Sequence, residues 1–356
     1  MMRLLLRWTA IIPGLAWILF FSGFVDDSTI FQVIACVLLI FSVMAAVHHS
    51  EIIAHRVGEP FGTIILAVAV TIIEVSIIVS LMISGGEEAS SLARDTVFAA
   101  TMLILNGIVG LCLLIGGLKH HVQKFSEHSA TIALVSIVSI VVLTMVFPSF
   151  TTSVKGPYYS TPQLAFVSIS CLIIYGVFLL AQTRRHREYF LVKDAGEGDV
   201  HSTVTNASLL VSAIFLLISL GIVVLLAKTL SPAIEEIVVS YHLPKTLVGI
   251  IIAAVILLPE GIAAIVAARN NKLQTSLNLA LGSALASIGL TIPCVAIVCN
   301  VYDMKVALGL DMKSIILLGL SVFIVMLSLS SGRTNIVYGV VLLINLFAFI
   351  FLIVYP

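Results

Sequence analysis

Long apolar runs separated by short polar clusters recur from one end of the chain to the other. Each run of about twenty uncharged residues is long enough to cross a hydrocarbon core of about 30 Å as a helix. Membrane barrels instead read as alternating segments of about ten residues, so the runs predict helices. Eleven are expected, at about 6–24, 29–47, 61–84, 97–117, 130–148, 164–182, 208–228, 246–268, 275–300, 314–330 and 335–355. The first follows Arg3 and Arg7 as a signal peptide would. It ends at Phe24-Val25-Asp26-Asp27 with no small-x-small cleavage site, and therefore reads as a retained helix. The longest polar stretch, 183–207, carries Arg184, Arg185, Arg187, Glu188 and Asp194 and is the natural boundary between two halves.

Composition narrows the class. The 356 residues are 60% hydrophobic and 10% charged, against roughly 25% charged in a soluble domain. A water-soluble globule and a disordered chain are both excluded, leaving an all-α polytopic membrane protein that has the lipid bilayer as a partner. The formal net charge of zero suggests no nucleic-acid partner. Cys36, Cys112, Cys171, Cys294 and Cys299 all fall in apolar runs without CxxC spacing, and read as small hydrophobes rather than disulfides or metal ligands. Lys and Arg favour cytoplasmic loops. With the N-terminus inside, Arg3, Arg7, Arg56, Lys119, Lys124, Arg184, Arg185, Arg187, Lys193, Arg269, Lys272 and Arg333 are cytoplasmic. Arg94, Lys155, Lys228, Lys245, Lys305 and Lys313 are then external. Twelve against six supports a cytoplasmic N-terminus, an external C-terminus and an odd helix count, with the cell inner membrane as the expected location.

Sixteen of the eighteen acidic residues fall in loops or at helix ends; only Glu74 and Glu260 lie deep within a span. A charged carboxylate at mid-bilayer costs several kcal/mol, and such residues usually face a polar cavity and serve transport. Glu74 lies 15 residues after Glu59, and Glu260 lies 15 after Lys245. At the helical rise both are about 22 Å from the entry, near or somewhat beyond the midplane. The bland explanation, a protonated acid in a helix interface, is harder to sustain for two at matched depth. Their surroundings match as well: Ile65-Leu66-Ala67-Val68 corresponds to Ile251-Ile252-Ala253-Ala254 at an offset of 186 residues.

That offset carries helices two to six approximately onto helices seven to eleven. The expected organisation is an extra N-terminal helix (1–27), a first five-helix repeat (28–182), a cytoplasmic linker (183–207) and a second repeat (208–356). Five is odd, so the repeats are inverted, an arrangement that secondary transporters use with substrate sites near the midplane. Pro259 beside Glu260 removes a backbone donor, frees the Val255 carbonyl and predicts broken backbone there, with Gly261 following. Thr71 and Ser76 bring hydroxyls near Glu74. Asn106, with Gly107 and Gly110, and Asn278, with Gly282 and Ser283, supply amide or hydroxyl oxygens in the helices that follow. Ordinary helix packing competes as an explanation for each of these.

At these residues the chain resembles a known family. His55-Arg56-Val57-Gly58-Glu59-Pro60-Phe61-Gly62, continuing to Thr71-Ile72-Ile73-Glu74-Val75-Ser76, is similar to the first α-repeat of the cation/calcium antiporter superfamily. Leu258-Pro259-Glu260-Gly261, and Gly282-Ser283-Ala284-Leu285 through Thr291-Ile292-Pro293, are similar to the second. With Ser331-Gly332-Arg333-Thr334-Asn335 the similarity covers nearly the whole chain, nearest to the bacterial calcium/sodium(potassium)–proton antiporters of the calcium/proton exchanger branch. The resemblance implies an eleven-helix fold, exchange of Ca²⁺ and Na⁺ or K⁺ for protons, and cation binding at Glu74 and Glu260. Three departures stand out. Thr71 and Leu257 occupy positions where relatives often have Asn, Ala286 stands where a Gln is expected, and the linker is mixed in charge rather than acidic. Ca²⁺ prefers six to eight oxygens, so the missing amides weaken strict Ca²⁺ selectivity.

The chemistry expected is export of Ca²⁺ or Na⁺, with K⁺ as a further candidate, against inward protons by alternating access. Desolvation lets a mid-membrane Glu hold a proton near neutral pH and release it when a cation arrives, and two such acids in one cavity would titrate as a pair. No cofactor is called for; the sequence has no HExxH motif and no nucleotide-binding loop, so neither ATP nor enzyme chemistry is expected. A cation channel is the competing class, with an intramembrane acid–base enzyme further behind. Separately, His48, Glu51, His55 and Glu59 follow one helical stripe leading towards the Glu74 helix. The stripe reads as a cation entry funnel or pH sensor, or as a plain solvated helix end.

Overall fold

The computed structural model describes residues 2–26, 28–57, 61–85, 90–190, 206–241, 244, 246–302 and 304–355. A helix occupies each of the eleven predicted segments: α1 (Met2–Ser22), α2 (Thr29–Val57), α3 (Phe61–Gly85), α4 (Leu92–His120), α5 (Glu127–Ser149), α6 (Thr161–Arg185), α7 (Asn206–Ser240), α8 (Thr246–Arg269), α9 (Leu273–Val301), α10 (Met312–Leu329) and α11 (Ile336–Val354). Among the described residues nine helices are long and apolar enough to cross a membrane, with shorter apolar helices at Trp8–Ser22 and Val68–Ile83. The protein is a polytopic all-α membrane protein.

Helix ends follow local chemistry. The Ser126 hydroxyl accepts from the Ser129 amide at the start of α5, Ser160 and Gln163 form a capping box at α6, and Asn335 Oδ1 accepts from the Val337 amide at α11, each satisfying donors that a helix start leaves open.

Three sequence expectations are corrected. Helix two, expected to stop at 47, continues to Val57, so His48, Glu51 and His55 of the histidine stripe lie on the last turns of α2. Helix seven runs twelve residues past its expected end at 228, so the exposed Lys228 rides on α7 instead of in a loop. In both cases the helix outlasts the apolar run that signalled it, through His48, His49 and Ser50 on α2 and through Pro232 on α7, because packing of α2 along α7 overrides weak local propensity. Finally, α8 is uninterrupted at Pro259. The irregular backbone lies instead in α4, where Leu103–Ile108 forms a π turn containing Asn106 and Gly107. Further π turns occur at Val142–Val146 in α5 and Ala181–Arg185 in α6. The linker also contributes a short helix, Arg187–Phe190, that the pattern did not announce.

Contacts divide the chain into two units, each drawing on both sequence halves. The first comprises Met1–Ser84 and Asp199–Val248, hence α1, α2, α3 and α7. Here α2 packs along α7, and α1 leans on both. Trp17 Nε1 donates to the Ile218 carbonyl at 3.1 Å, and the Trp17 ring covers Gly221, where a Cβ would sit 3.2 Å from Cζ2.

The second unit comprises Gly85–Gly198 and Gly249–Pro356. Its packing comes in exchanged pairs: α6 lies on α9 as α11 lies on α4, and α5 meets α10. Its loops do the same. Tyr158 bridges Ala307 at one place and Lys124 bridges Arg333 at the other, so the α5–α6 loop pairs with the α9–α10 loop and the α4–α5 loop with the α10–α11 loop. Glycines let the helices cross closely. A Cβ on Gly339 of α11 would fall 2.6 Å from the Leu114 amide nitrogen and 2.8 Å from the Gly110 carbonyl oxygen of α4. Around Gly289 of α9 the near neighbour is Tyr175 of α6. Outside the spans, Tyr159 donates its hydroxyl to the Leu143 carbonyl, and burial pushes its phenol up to about 12.

Candidate functional site

Glu74 sits just past the middle of α3 in the first unit, 3% exposed. Thr71 precedes it by one turn on the same face and is also buried, whereas Ser76 is half-buried on another side of the helix. The remaining turn is apolar: Ile73, Ile77 and Ile78 are buried at 3% exposure or less. A polar group buried at this place gives up its hydration, which its neighbours or a bound ion must make good.

Glu260 belongs to the second unit and is half-buried on α8. What positions it is the packing of α8 along α4. Gly249 lies against Thr96, with a would-be Cβ 3.3 Å from the Thr96 amide nitrogen; Gly261 lies against Ile108. At the far end, Lys119 Nζ and His120 Nε2 both donate to the Arg269 carbonyl, at 3.0 and 2.9 Å, and Gln123 Nε2 donates to the Ala268 carbonyl at 3.0 Å. The two helices run parallel, and Glu260 stands at the level of the π turn in α4.

The structure does not turn Asn106 towards that level. Ile108 faces α8, and Asn106 points the other way, into a buried polar quartet. Its Nδ2 donates to Ser321 Oγ at 3.0 Å, its Oδ1 accepts from Asn345 Nδ2 at 2.9 Å, and Asn345 also donates to Ser321 at 2.8 Å. Met102 sulfur completes the group. Asn106 and Ser321 have no exposed surface. The quartet ties α4 to α10 and α11, and the π turn is what rotates Asn106 into it.

Asn278 is likewise engaged. On α9, its Nδ2 donates to the Phe190 carbonyl of the linker helix at 2.8 Å, and its Oδ1 accepts from Gln274 Nε2 at 2.8 Å. Gln274 reaches Ser129 Oγ as well. With Gly282, Asn278 lines a cavity of about 10 Å³ under the buried Phe190 ring, enough for one water. Ser283 is half-buried one turn on, and the buried Ser287 lies beyond it on α9.

Of the histidine stripe, His48 is half-buried with its ring 6.4 Å from Trp8, and Glu51 is exposed. The His55 side chain and all of Glu59 lie outside the described residues. The neighbouring His49, which that stripe passes over, is fully buried and stacks on Phe215 of α7. The spacing Ser42, Ala46, His49, Ile53 is the signal that would have found it, being an inward-facing helical stripe.

An all-α membrane fold that carries Glu74 buried on one helix and Glu260 half-buried on another suits a secondary transporter, and the family match shows that class. The sodium/calcium exchanger protein family matches residues 28–184 and 211–355, and the chain belongs to it. Among curated relatives it is 44% identical over 318 residues to y4hA of Sinorhizobium fredii, named as an ionic transporter, covering 89% of this chain and 86% of that one. It is 33% identical to the sodium-potassium/proton antiporter ChaA of Escherichia coli, covering 86% and 84%. Two solved structures share its fold. These are native YfkE (TM-score 0.72, 16% identity, 98% of this chain and 100% of that one) and the H⁺/Ca²⁺ exchanger CAX (TM-score 0.70, 13% identity, 96% and 88%).

Proposed function

We propose that this chain exports Na⁺ or Ca²⁺, and K⁺ as a further substrate, in exchange for protons by alternating access, with Glu74 and Glu260 as the groups that take up either. The observation carrying this reading is the burial of Glu74 in an otherwise uncharged helix of an exchanger-family chain. An acid in that setting is stable when protonated or when a cation sits against it, and costly when bare. Glu260, half-buried on α8, is the second acid within a span, and a proton or a cation neutralises each. A carrier whose empty form is costly changes access only when loaded, and obligatory exchange follows from that penalty. Thr71 adds a hydroxyl ligand one turn from Glu74, Ser76 and Ser283 are further candidates, and Asn106 and Asn278 serve through the helix contacts described above.

The exchanged pairing of helices and loops in the second unit supports two inverted five-helix repeats, with α1 as the extra helix. So does the family match in two segments. The excess of Lys and Arg supports an inner-membrane protein with its N-terminus cytoplasmic and its C-terminus outside.

The test is transport in proteoliposomes loaded in turn with Na⁺, K⁺ and Ca²⁺, with internal pH as readout. Glu74→Gln and Glu260→Gln are each expected to abolish cation-driven proton movement while leaving the protein folded. Full exchange in both variants would overturn the proposal. Cation flux without proton countertransport in the unaltered protein would mark a channel instead.

A further inference from the structure

The first unit hides a polar seam that the transport reading does not use. Where α2 packs on α7, Ser42 and His49 of α2 and Ser212 and Ser219 of α7 are all fully buried. None of the three hydroxyls has a hydrogen-bond partner among the described residues. Hydroxyls inside helices ordinarily donate to the carbonyl a turn back, as Ser50 does to Val47 and Thr101 does to Val97. Neither His49 nitrogen has a hydrogen-bond partner of ordinary geometry either, although the Thr9 main chain lies close enough to act on the ring. Other such hydroxyls, Thr96, Ser168, Ser276 and Thr291, are spread over α4, α6 and α9.

The contacts give the order along the seam. Thr9 of α1 lies by His49, which stacks on Phe215 at 5.5 Å, while Trp17 reaches Ile218 and Gly221. Helix α1 therefore runs parallel to α7. The hairpin between α1 and α2, marked by Trp8 on His48 and Phe24 on Phe31, makes α2 antiparallel to both. Measured from the His49–Phe215 level, Ser212 is three residues back along α7 and Ser219 four residues on, about 4.5 and 6 Å at the helical rise. Ser42, seven residues before His49, lies about 10.5 Å away on the Ser219 side. Along the helix axes the four groups thus follow one another at offsets of about 4.5, 6 and 4.5 Å, a spacing of the same order as the roughly 5 Å that one water spans through two hydrogen bonds.

Buried polar groups are nearly always partnered, by ordered water where protein supplies nothing. We infer that the α2–α7 seam holds a file of buried waters along which a proton passes by way of His49. An imidazole accepts a proton on one nitrogen and releases one from the other, so net transfer leaves the residue unchanged; hydroxyls and waters need only relay. The file ends at a meaningful depth. Ser42 lies fifteen residues before the end of α2 at Val57, and Glu74 lies thirteen residues after the start of α3 at Phe61. These are about 22 and 20 Å from the end of α2 and the start of α3, which so few residues of sequence separate that they share one side of the membrane. The seam leads from that side to the depth of Glu74, which is where the antiport reading, on which this inference rests, needs a proton. The titratable group facing His49 is His48 on α2, 5.7 Å between rings; α1 and α7 present Thr9, Phe215 and Ser212, none of them titratable near neutrality.

Two measurements on the full-length protein test this. Hydroxyl-radical footprinting reads hydration directly. It should label His49 and Phe215 despite their burial, and Ser42→Ala with Ser219→Ala should lower that labelling. Absence of labelling in the unaltered protein would overturn the file. In proteoliposomes, His49→Gln and the double serine variant should lose proton-coupled exchange severalfold while retaining ²²Na⁺/Na⁺ or ⁴⁵Ca²⁺/Ca²⁺ self-exchange, which needs no proton. Equal loss of both activities, or unchanged proton coupling, would overturn the conduction role. The serine pair guards against misfolding, because removing an unpartnered hydroxyl from a dry interface is neutral or stabilising. Failure of the unaltered protein to couple protons at all would remove the antiport reading, while labelling would still establish the waters.

Discussion

Asn345 and Glu74 are both polar groups buried in apolar helices, and they differ in how their cost is met. Asn345 gives both of its amide hydrogens to partners that are themselves buried, Asn106 Oδ1 and Ser321 Oγ. Removing it leaves the Asn106 oxygen without that donor, at a cost of about 1–3 kcal/mol. Asn345→Leu is therefore expected to lower the melting temperature in detergent while exchange below the transition persists; loss of exchange with unchanged melting would make the quartet a transport element. A buried acid is different, because its cost changes with every proton or cation that comes and goes. That is why Glu74 could be singled out from sequence, as an isolated acid in a long apolar run, whereas Asn106 could not be assigned a direction. The one-residue insertion of a π turn rotates everything after it, and nothing in Leu103-Ile104-Leu105-Asn106-Gly107-Ile108 announces the turn.

Between helices, the decisive quantity is how closely two backbones approach. At the α4–α11 crossing, Gly339 faces backbone atoms of Leu114 and Gly110 that cannot give way. Gly339→Leu should destabilise by at least the roughly 1–3 kcal/mol typical of overpacking, read as a lower melting temperature and poor yield. Gly319→Ala on α10 is the matched control, since nothing lies within 4 Å of its added carbon, and the exchange of glycine for alanine favours the helix. Helix extents were legible where charge or proline bounded an apolar run, as at α6 and α11, to within three residues. They were not at α2 and α7, because a helix paired along its length continues through polar residues that hydropathy counts as its end.

For the molecule as a whole, the excess of Lys and Arg on one side predicts the orientation. Cysteine introduced at Lys155, exposed in the α5–α6 loop, is expected to react with a membrane-impermeant maleimide in intact cells. Cysteine at the exposed His121, in the α4–α5 loop, should react only in everted vesicles. The native cysteines all lie on helices, which keeps the background low. The reverse pattern would invert the topology and with it the direction assigned to cation export. Exchange of helix and loop partners within the second unit is what two inverted repeats of five spans would produce, since an odd number of spans reverses the orientation of the second copy.

The place of the helices, the membrane class and the buried Glu74 were written in the sequence, because burying charge in lipid is so costly that composition alone betrays it. Which face each helix turns to its neighbours was not. Asn106 bonding to α10 and α11, α8 lying unbroken along α4 despite Pro259, and His49 closing on Phe215 beside three unpartnered serines all depend on the rotation of helices that are apolar on every side. Hydropathy carries no angular information for such a helix; only close packing against the others chooses the face.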